Sequence, residues 1–239
     1  MMLKNTFDFL LSLLMIIIFS PVMFFFLILI FMQDYSNPIY FGRRIGKNGK
    51  KFNCYKMRSM IKNAEKSGVF STSSADERIT KLGKFLRSTK LDELPQIFNV
   101  LMMDMSFVGP RPNVEKDVKL YTEEEMKLLN VKPGITDLAS IVFSDEGNIL
   151  KNSINPDKDY NELIRPWKSR LGIIYINEKN FFLDIWIIIL TIINFMKRDI
   201  ALKLIKKKIE KINNVDQNLL KIVLRNTQLF SYSPPGKKK

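Results

Sequence analysis

From Phe9 to Met32 the chain runs for 24 residues without a charge, FLLSLLMIIIFSPVMFFFLILIFM. As a helix rising 1.5 Å per residue it would reach roughly 36 Å, enough to cross the hydrocarbon core of a bilayer. The run is too long for the core of a signal peptide and no small-residue cleavage site follows it, so it reads as an anchor. Two features argue against a simple span. Ser20-Pro21 sits at its midpoint, where proline removes a backbone donor and bends a helix. Basic residues flank both ends, Lys4 before it and Arg43, Arg44 and Lys47 after it, whereas a true span leaves one end depleted. A helix that enters the membrane, breaks at Ser20-Pro21 and returns to the same side satisfies both. Residues 1–36 are expected to be that re-entrant element.

The charge balance points the same way. Lys and Arg number 38 against 24 Asp and Glu, a formal charge of +14 over 239 residues. Such an excess implies a polyanionic partner, nucleic acid or an anionic membrane surface. A nucleic-acid-binding protein accounts for the charge but not for the apolar run, so the membrane is the expected partner and nucleic acid is not. The chain has no histidine and one cysteine, Cys54. That excludes Ser-His-Asp and Cys-His catalysis, histidine-ligated metals, cysteine-cluster zinc and internal disulfides. Cys54 reads as a small half-buried strand residue. Acid-base or covalent chemistry is left to carboxylates, lysines, hydroxyls or a hard metal on oxygen ligands.

Beyond Pro38 the chain changes to a soluble character. Ile39-Tyr40-Phe41 and Phe52-Asn53-Cys54-Tyr55 read as strands joined by Gly46-Lys47-Asn48-Gly49, whose Asn-Gly is a hairpin signal. Asn63 to Asp76 is a polar loop, and Ile79 to Leu86 looks helical. Glu115 to Leu129 reads as one charged surface helix, Asp145 to Asp159 as a loop with short ordered pieces, and Leu163 to Asn177 as a helix. Phe181 to Met196 is apolar but short for a span, which suits an interfacial or half-buried helix. In the basic tail, Leu202, Ile205, Ile209, Ile212, Leu219 and Leu220 recur at mostly helical spacing. That pattern fits a membrane-surface helix or one packed on its own domain. The expected architecture is α+β and mainly helical: the re-entrant helix, a small catalytic domain over residues 37–200 with a short β-hairpin and interfacial helices, and a basic amphipathic tail over 201–239.

The chemistry concentrates in RSTKLDELPQIFNVLMMDMSFVGPRP, Arg87 to Pro112. Pro95 is tolerated only in a first helical turn, so a helix from about Asp92 to Met102 is expected. Asp92 and Glu93 then occupy the positive end of the helix dipole. Pro110-Arg111-Pro112 is a rigid turn presenting one guanidinium. Paired acids followed by an arginine suit a phosphate and divalent-metal site; they equally suit an acid-capped helix and a turn.

A set of ordered motifs goes further. Phe19-Ser20-Pro21, Arg44-Ile45-Gly46, Tyr55-Lys56-Met57-Arg58-Ser59-Met60, Asp76-Glu77-Arg78-Ile79-Thr80 and Leu86-Arg87-Ser88 come first. Leu91-Asp92-Glu93-Leu94-Pro95-Gln96, the run from Asp104 to Pro112, and Lys132-Pro133-Gly134-Ile135-Thr136 follow. Together they resemble the bacterial sugar transferases, the monotopic polyprenyl-phosphate phosphoglycosyl transferases, over roughly residues 4 to 200. The resemblance implies transfer of a sugar 1-phosphate from a UDP-sugar to undecaprenyl phosphate, with release of UMP, at the cytoplasmic face of the bacterial inner membrane. It implies Asp92 as nucleophile forming a phosphosugar-aspartate intermediate, and Glu93 as metal ligand or positioning group. Mg²⁺ would be held by Asp92 and Glu93. Arg87 and Arg111 match arginines near the phosphates, and Lys56, Lys132 and Thr136 are further phosphate- or nucleotide-binding candidates. The pattern departs from the family at Asp137-Leu138-Ala139-Ser140, where Gly-Trp-Ala-Gln is usual, in the loop from Ile141 to Asn161, and at Met103, where glycine is common. Sugar identity therefore does not carry over. The competing expectation is a membrane scaffold of a glycan assembly complex that retains the fold without activity.

Overall fold

The computed structural model describes residues 2–69 and 71–237. Helix α1, Met2–Asp34, is 33 residues long and contains the whole apolar run. Helical structure continues through Ser20-Pro21, where the sequence led us to expect a break. Local repair explains this. Pro21 leaves the Ile17 carbonyl without its amide donor, and the Ser20 hydroxyl donates to that carbonyl at 3.1 Å.

One stripe of α1 faces the rest of the protein from end to end. Lys4 pairs with Asp184 at 2.5 Å, and Asp8, Ser12, Met23 and Ile30 are buried. At the far end Arg58 donates to both carboxylate oxygens of Asp34 at 2.6 Å. The other face, including Phe9, Leu13, Ile17, Phe24, Phe25 and Ile28, is exposed.

Strands β1, Ile39–Ile45, and β2, Lys51–Met57, form the expected hairpin, pairing Ile39 with Met57 and Ile45 with Lys51. Its turn places Asn48 at φ 55° and Gly49 at φ 76°, left-handed conformations that this residue pair tolerates. The chain then loops out and returns through a bridge between Met60 and Ile79. Helix α2, Lys81–Ser88, starts on a Thr80 cap that accepts from the Gly83 amide at 2.9 Å. Gly83 packs against the backbone of Ser59 so closely that a β-carbon there would meet the Ser59 carbonyl oxygen at 1.9 Å.

Helix α3, Gln96–Leu101, follows a 3-10 turn over Leu91–Glu93. Leu94 and Pro95 keep helical dihedrals, so the proline sits early in one continuous helical segment, as its chemistry requires. Asn99, fully buried, locks α3 to the hairpin: it accepts from the Tyr55 amide at 2.9 Å and donates to the Asn53 carbonyl at 2.7 Å. Strand β3, Ser106–Val108, pairs in parallel with β4, Gly134–Thr136.

The stretch expected as one surface helix is instead two turns, Glu115–Val118 and Glu123–Met126, followed by a 3-10 turn at Lys127–Asn130. The break comes from Thr122, whose capping box with Glu125 starts a new helix and satisfies its first donors.

Helix α4, Leu138–Val142, is capped by Asp137. Helices α5, Arg165–Glu178, and α6, Phe181–Met196, lie where hydrophobic spacing puts them. Helices α7, Arg198–Ile209, and α8, Gln217–Val223, come from the basic tail. Their apolar positions Leu202, Ile205, Ile209, Leu219 and Leu220 are buried in the same core as Val108, Val142, Leu171 and Ile187. Of the two possibilities for the tail's apolar stripe, the structure has it packed on the protein itself.

Candidate active site

Five side chains from four elements meet around the 3-10 turn. Lys56 comes from the end of β2, Arg87 from the last turn of α2, Asp92 and Glu93 from the turn itself, and Arg111 from the proline-flanked turn after β3. Close packing at Gly109 and Gly134 holds that last turn: a β-carbon on Gly134 would meet the Gly109 amide nitrogen at 2.1 Å.

The two carboxylates have opposite environments. Glu93 is fully engaged. Arg111 donates to it through both terminal nitrogens, one at 3.1 Å to Oε2 and the other to Oε1, and Lys56 Nζ reaches Oε1 at 2.9 Å. Burial alone would raise the Glu93 carboxyl, but Arg111 and Lys56 override it and hold the group well below the usual carboxylate range. Glu93 in turn raises the Arg111 guanidinium.

Asp92 is 5% exposed and accepts no hydrogen bond among the described residues; its Oδ1 is buried and unpartnered. Burial, and then the neighbouring Glu93 charge, raise its pKa, while Lys56, Arg87 and Lys90 act against them. A buried carboxylate with no donor is costly for folding and is therefore a signpost of chemistry.

Arg87 is fixed by a hydrogen bond from Nε to the Ser59 hydroxyl at 2.8 Å, leaving its terminal nitrogens free of that contact. Burial lowers its pKa and the Asp92 charge opposes the shift. Lys90 was not picked out by the sequence reading. It precedes the turn at φ 59°, a left-handed conformation uncommon for a side chain of this size. Its ammonium makes no ion pair or hydrogen bond among the described residues, while its backbone joins α2 to the turn through Arg87 and Glu93. Its side chain is exposed at the rim of the cluster, and partial desolvation there lowers its ammonium, with Glu93 opposing the shift. Four cations thus surround two carboxylates. Their surplus positive charge suits a polyphosphate.

Two predicted site residues lie elsewhere. Lys132 bonds to Asn5 of α1 at 3.4 Å and approaches the Met103 sulfur. The Thr136 hydroxyl is joined to that of Thr191 on α6 at 2.7 Å. Neither touches the carboxylate pair. Their neighbour Asp137 is buried and devoted to capping α4, with Ser140 as its partner. On the far side of Arg111, Glu146 is paired with Lys168 at 2.5 Å and lies within the field of the arginine. A lone acid in a polar loop gives no sequence signal of that placement. Lys90 carried a signal only in hindsight, as a charge beside the acidic pair.

Comparison with known proteins identifies the family. A family model described as bacterial sugar transferase matches residues 1–198. A Salmonella typhimurium protein named undecaprenyl-phosphate galactose phosphotransferase is 41% identical over 152 residues, 57% of this chain and 32% of that one. An Aeromonas hydrophila protein named UDP-N-acetylgalactosamine-undecaprenyl-phosphate N-acetylgalactosaminephosphotransferase is 32% identical over 192 residues, 79% of this chain and 42% of its own. An uncharacterized sugar transferase of Bacillus subtilis, EpsL, is 35% identical over 193 residues, covering 80% of this chain and 86% of that protein. The chain spans about a third of the length of several curated relatives it matches. With its family match running through the hairpin, the Asp92-Glu93 turn and the Arg111 turn alike, the chain belongs to the bacterial sugar transferase family.

Proposed function

We propose that the protein transfers a sugar 1-phosphate from a UDP-sugar to undecaprenyl phosphate, releasing UMP, as the first membrane step of a surface glycan. The observation that carries this reading is the contrast within the acidic pair. Glu93 is neutralised by Arg111 and Lys56, while Asp92 beside it is buried, unpaired and ringed by cations. In the first half-reaction an Asp92 oxygen bonds to the β-phosphorus of the nucleotide sugar. The bond from that phosphorus to the bridging oxygen breaks, and UMP leaves with the electron pair. In the second, an oxygen of undecaprenyl phosphate attacks the same phosphorus and Asp92 is released. Arg87, Lys90 and Arg111 offset the charge that keeps a carboxylate from approaching a phosphate.

The residues fit Mg²⁺. Mg²⁺ is typically held by one or two carboxylates and completed by substrate phosphates and water, and the unpartnered Oδ1 of Asp92 offers one such ligand. Glu93, whose oxygens already accept from two cations, would join only by releasing one of them. Among the described residues no three candidate ligands cluster, so the other ligands of Mg²⁺ would have to come from substrate and water. When bound, Mg²⁺ would neutralise the phosphates and the leaving UMP.

The membrane placement in this reading rests on α1. Its inner stripe touches the protein from Lys4 to Asp34, which supports both ends lying on the side of the catalytic residues with the exposed apolar face turned to lipid. This supports a monotopic seat on the cytoplasmic face of the inner membrane, where a lipid phosphate meets a soluble nucleotide. The test is UMP release from a panel of UDP-sugars, with undecaprenyl phosphate and Mg²⁺ present. At least one sugar should support turnover, and Asp92→Asn should lower it by about 10⁴-fold or more. No release from any sugar would favour the scaffold reading instead.

A further inference from the structure

Between α6 and α7 lies a groove of about 410 Å³, a volume within the range of small-molecule sites. Its apolar wall is Phe182, Leu183 and Trp186 of α6, and its rim carries Lys207, Lys208 and Lys211. Phe182, although part of that wall, is 82% exposed. The three lysines are exposed and have no ion-pair partner among the described residues. Lys206, on the same helix, is paired with Glu210 at 3.2 Å.

Lysines in the last turn of a helix also favour its dipole, and that accounts for their charge at α7. It does not account for an apolar wall left open beside them. The wall continues along α6 through exposed Ile189, Ile192, Phe195 and Met196. At its other end Phe181 packs edge-on against Phe7 of α1 at 5.4 Å, joining the groove to the apolar face of that helix. The family match ends at residue 198, so the lysines belong to a part of the chain outside it.

We propose that this groove binds an acidic glycerophospholipid, with an acyl chain along Phe182, Leu183 and Trp186 and the phosphate among Lys207, Lys208 and Lys211. The site rests on the membrane placement given above. It complements that placement with a preference among lipids, since an apolar face alone does not distinguish headgroups whereas lysines near a surface do.

Trp186 is a built-in reporter, half-buried in the groove wall, while the second tryptophan, Trp167, is fully buried. The full chain in detergent micelles is titrated with brominated phosphatidylglycerol or brominated phosphatidylcholine, and tryptophan quenching is followed. At about fivefold per lysine, phosphatidylglycerol should half-quench at a mole fraction on the order of a hundred-fold lower. The triple variant Lys207→Gln, Lys208→Gln, Lys211→Gln should remove that preference with UMP release unchanged. Equal quenching of the wild type by both lipids overturns the acidic-lipid site and leaves the membrane seat standing. Quenching by neither overturns both the site and the placement of α6 at the lipid. A preference that survives in the triple variant, or displacement of phosphatidylglycerol by an equal or smaller amount of a short polyprenyl phosphate, also overturns it, the latter because the groove would then serve the acceptor substrate.

Discussion

Asp92 and Glu93 are neighbours in sequence with opposite roles in the fold. Glu93 is held ionised by Arg111 and Lys56 and joins three elements; its stabilising effect is present above its unfolded pKa and is lost as pH falls through its lowered folded value. Asp92 has the reverse sign. Its folded pKa is raised, so the native state binds the extra proton, and ionisation destabilises the fold as pH rises through that window. Asp92→Asn should therefore melt at a higher temperature than the wild type at pH 7, with the gap closing as the solution is acidified. Thermal melts across pH check this, and a variant less stable than wild type at pH 7 would count against a buried, unpaired charge. Lys90 is the second residue-scale prediction. An unpaired cation held at a left-handed φ next to the carboxylates is placed to meet a substrate phosphate. Lys90→Ala should lower kcat/KM for the nucleotide sugar by about 10- to 100-fold, the worth of one charged hydrogen bond, with Lys90→Arg recovering most of it.

At the scale of elements, what was legible in the sequence was whatever local chemistry decides. The Asn-Gly turn, the helix over Phe181–Met196 and the early proline of α3 all followed from residue preference and spacing. Features decided by partners distant in the chain were not legible. Lys132 and Thr136 are drawn away from the carboxylates by Asn5 and Thr191; the capping box of Thr122 and Glu125, three residues apart, is by contrast a local signal that the one-helix expectation passed over. Of the side chains that the structure gathers around the turn, Asp92, Glu93, Arg87, Arg111 and Lys56 stood out in the sequence. Lys90, and the role of Ser59 in orienting Arg87, needed three dimensions. Helix α1 yields a topological prediction. Single cysteines at exposed Leu3 and Tyr35, one at each end, should both resist an impermeant maleimide in intact spheroplasts and both react after permeabilisation. Labelling of one end only in intact cells would mean that α1 crosses the bilayer.

For the whole molecule, the basic tail is part of the core and not an appendage to it. Leu202, Ile205, Ile209, Leu219, Ile222 and Val223 are all buried in the main cluster. At about 1.5–3 kcal/mol each, their burial contributes roughly 9–18 kcal/mol, comparable with the entire stability of a domain. Arg198 and Arg225 from this tail both reach Asp145, at 2.8 and 3.4 Å, next to Glu146 in the loop beyond Arg111. A chain ending at Lys197 should therefore fail to give a monodisperse folded species in detergent, and size-exclusion chromatography with circular dichroism checks it. A truncated form that stays folded would separate the tail from the catalytic unit.

The central claim is that Asp92 itself carries the phosphosugar. Intact-mass spectrometry after incubating the purified protein with its UDP-sugar and Mg²⁺, without lipid acceptor, tests it most directly. A mass increase equal to one sugar phosphate is predicted, mapping to the peptide that contains Asp92, absent from Asp92→Asn and discharged on adding undecaprenyl phosphate. UMP released in amounts matching the enzyme with no such adduct, or an adduct that persists in Asp92→Asn, would contradict it.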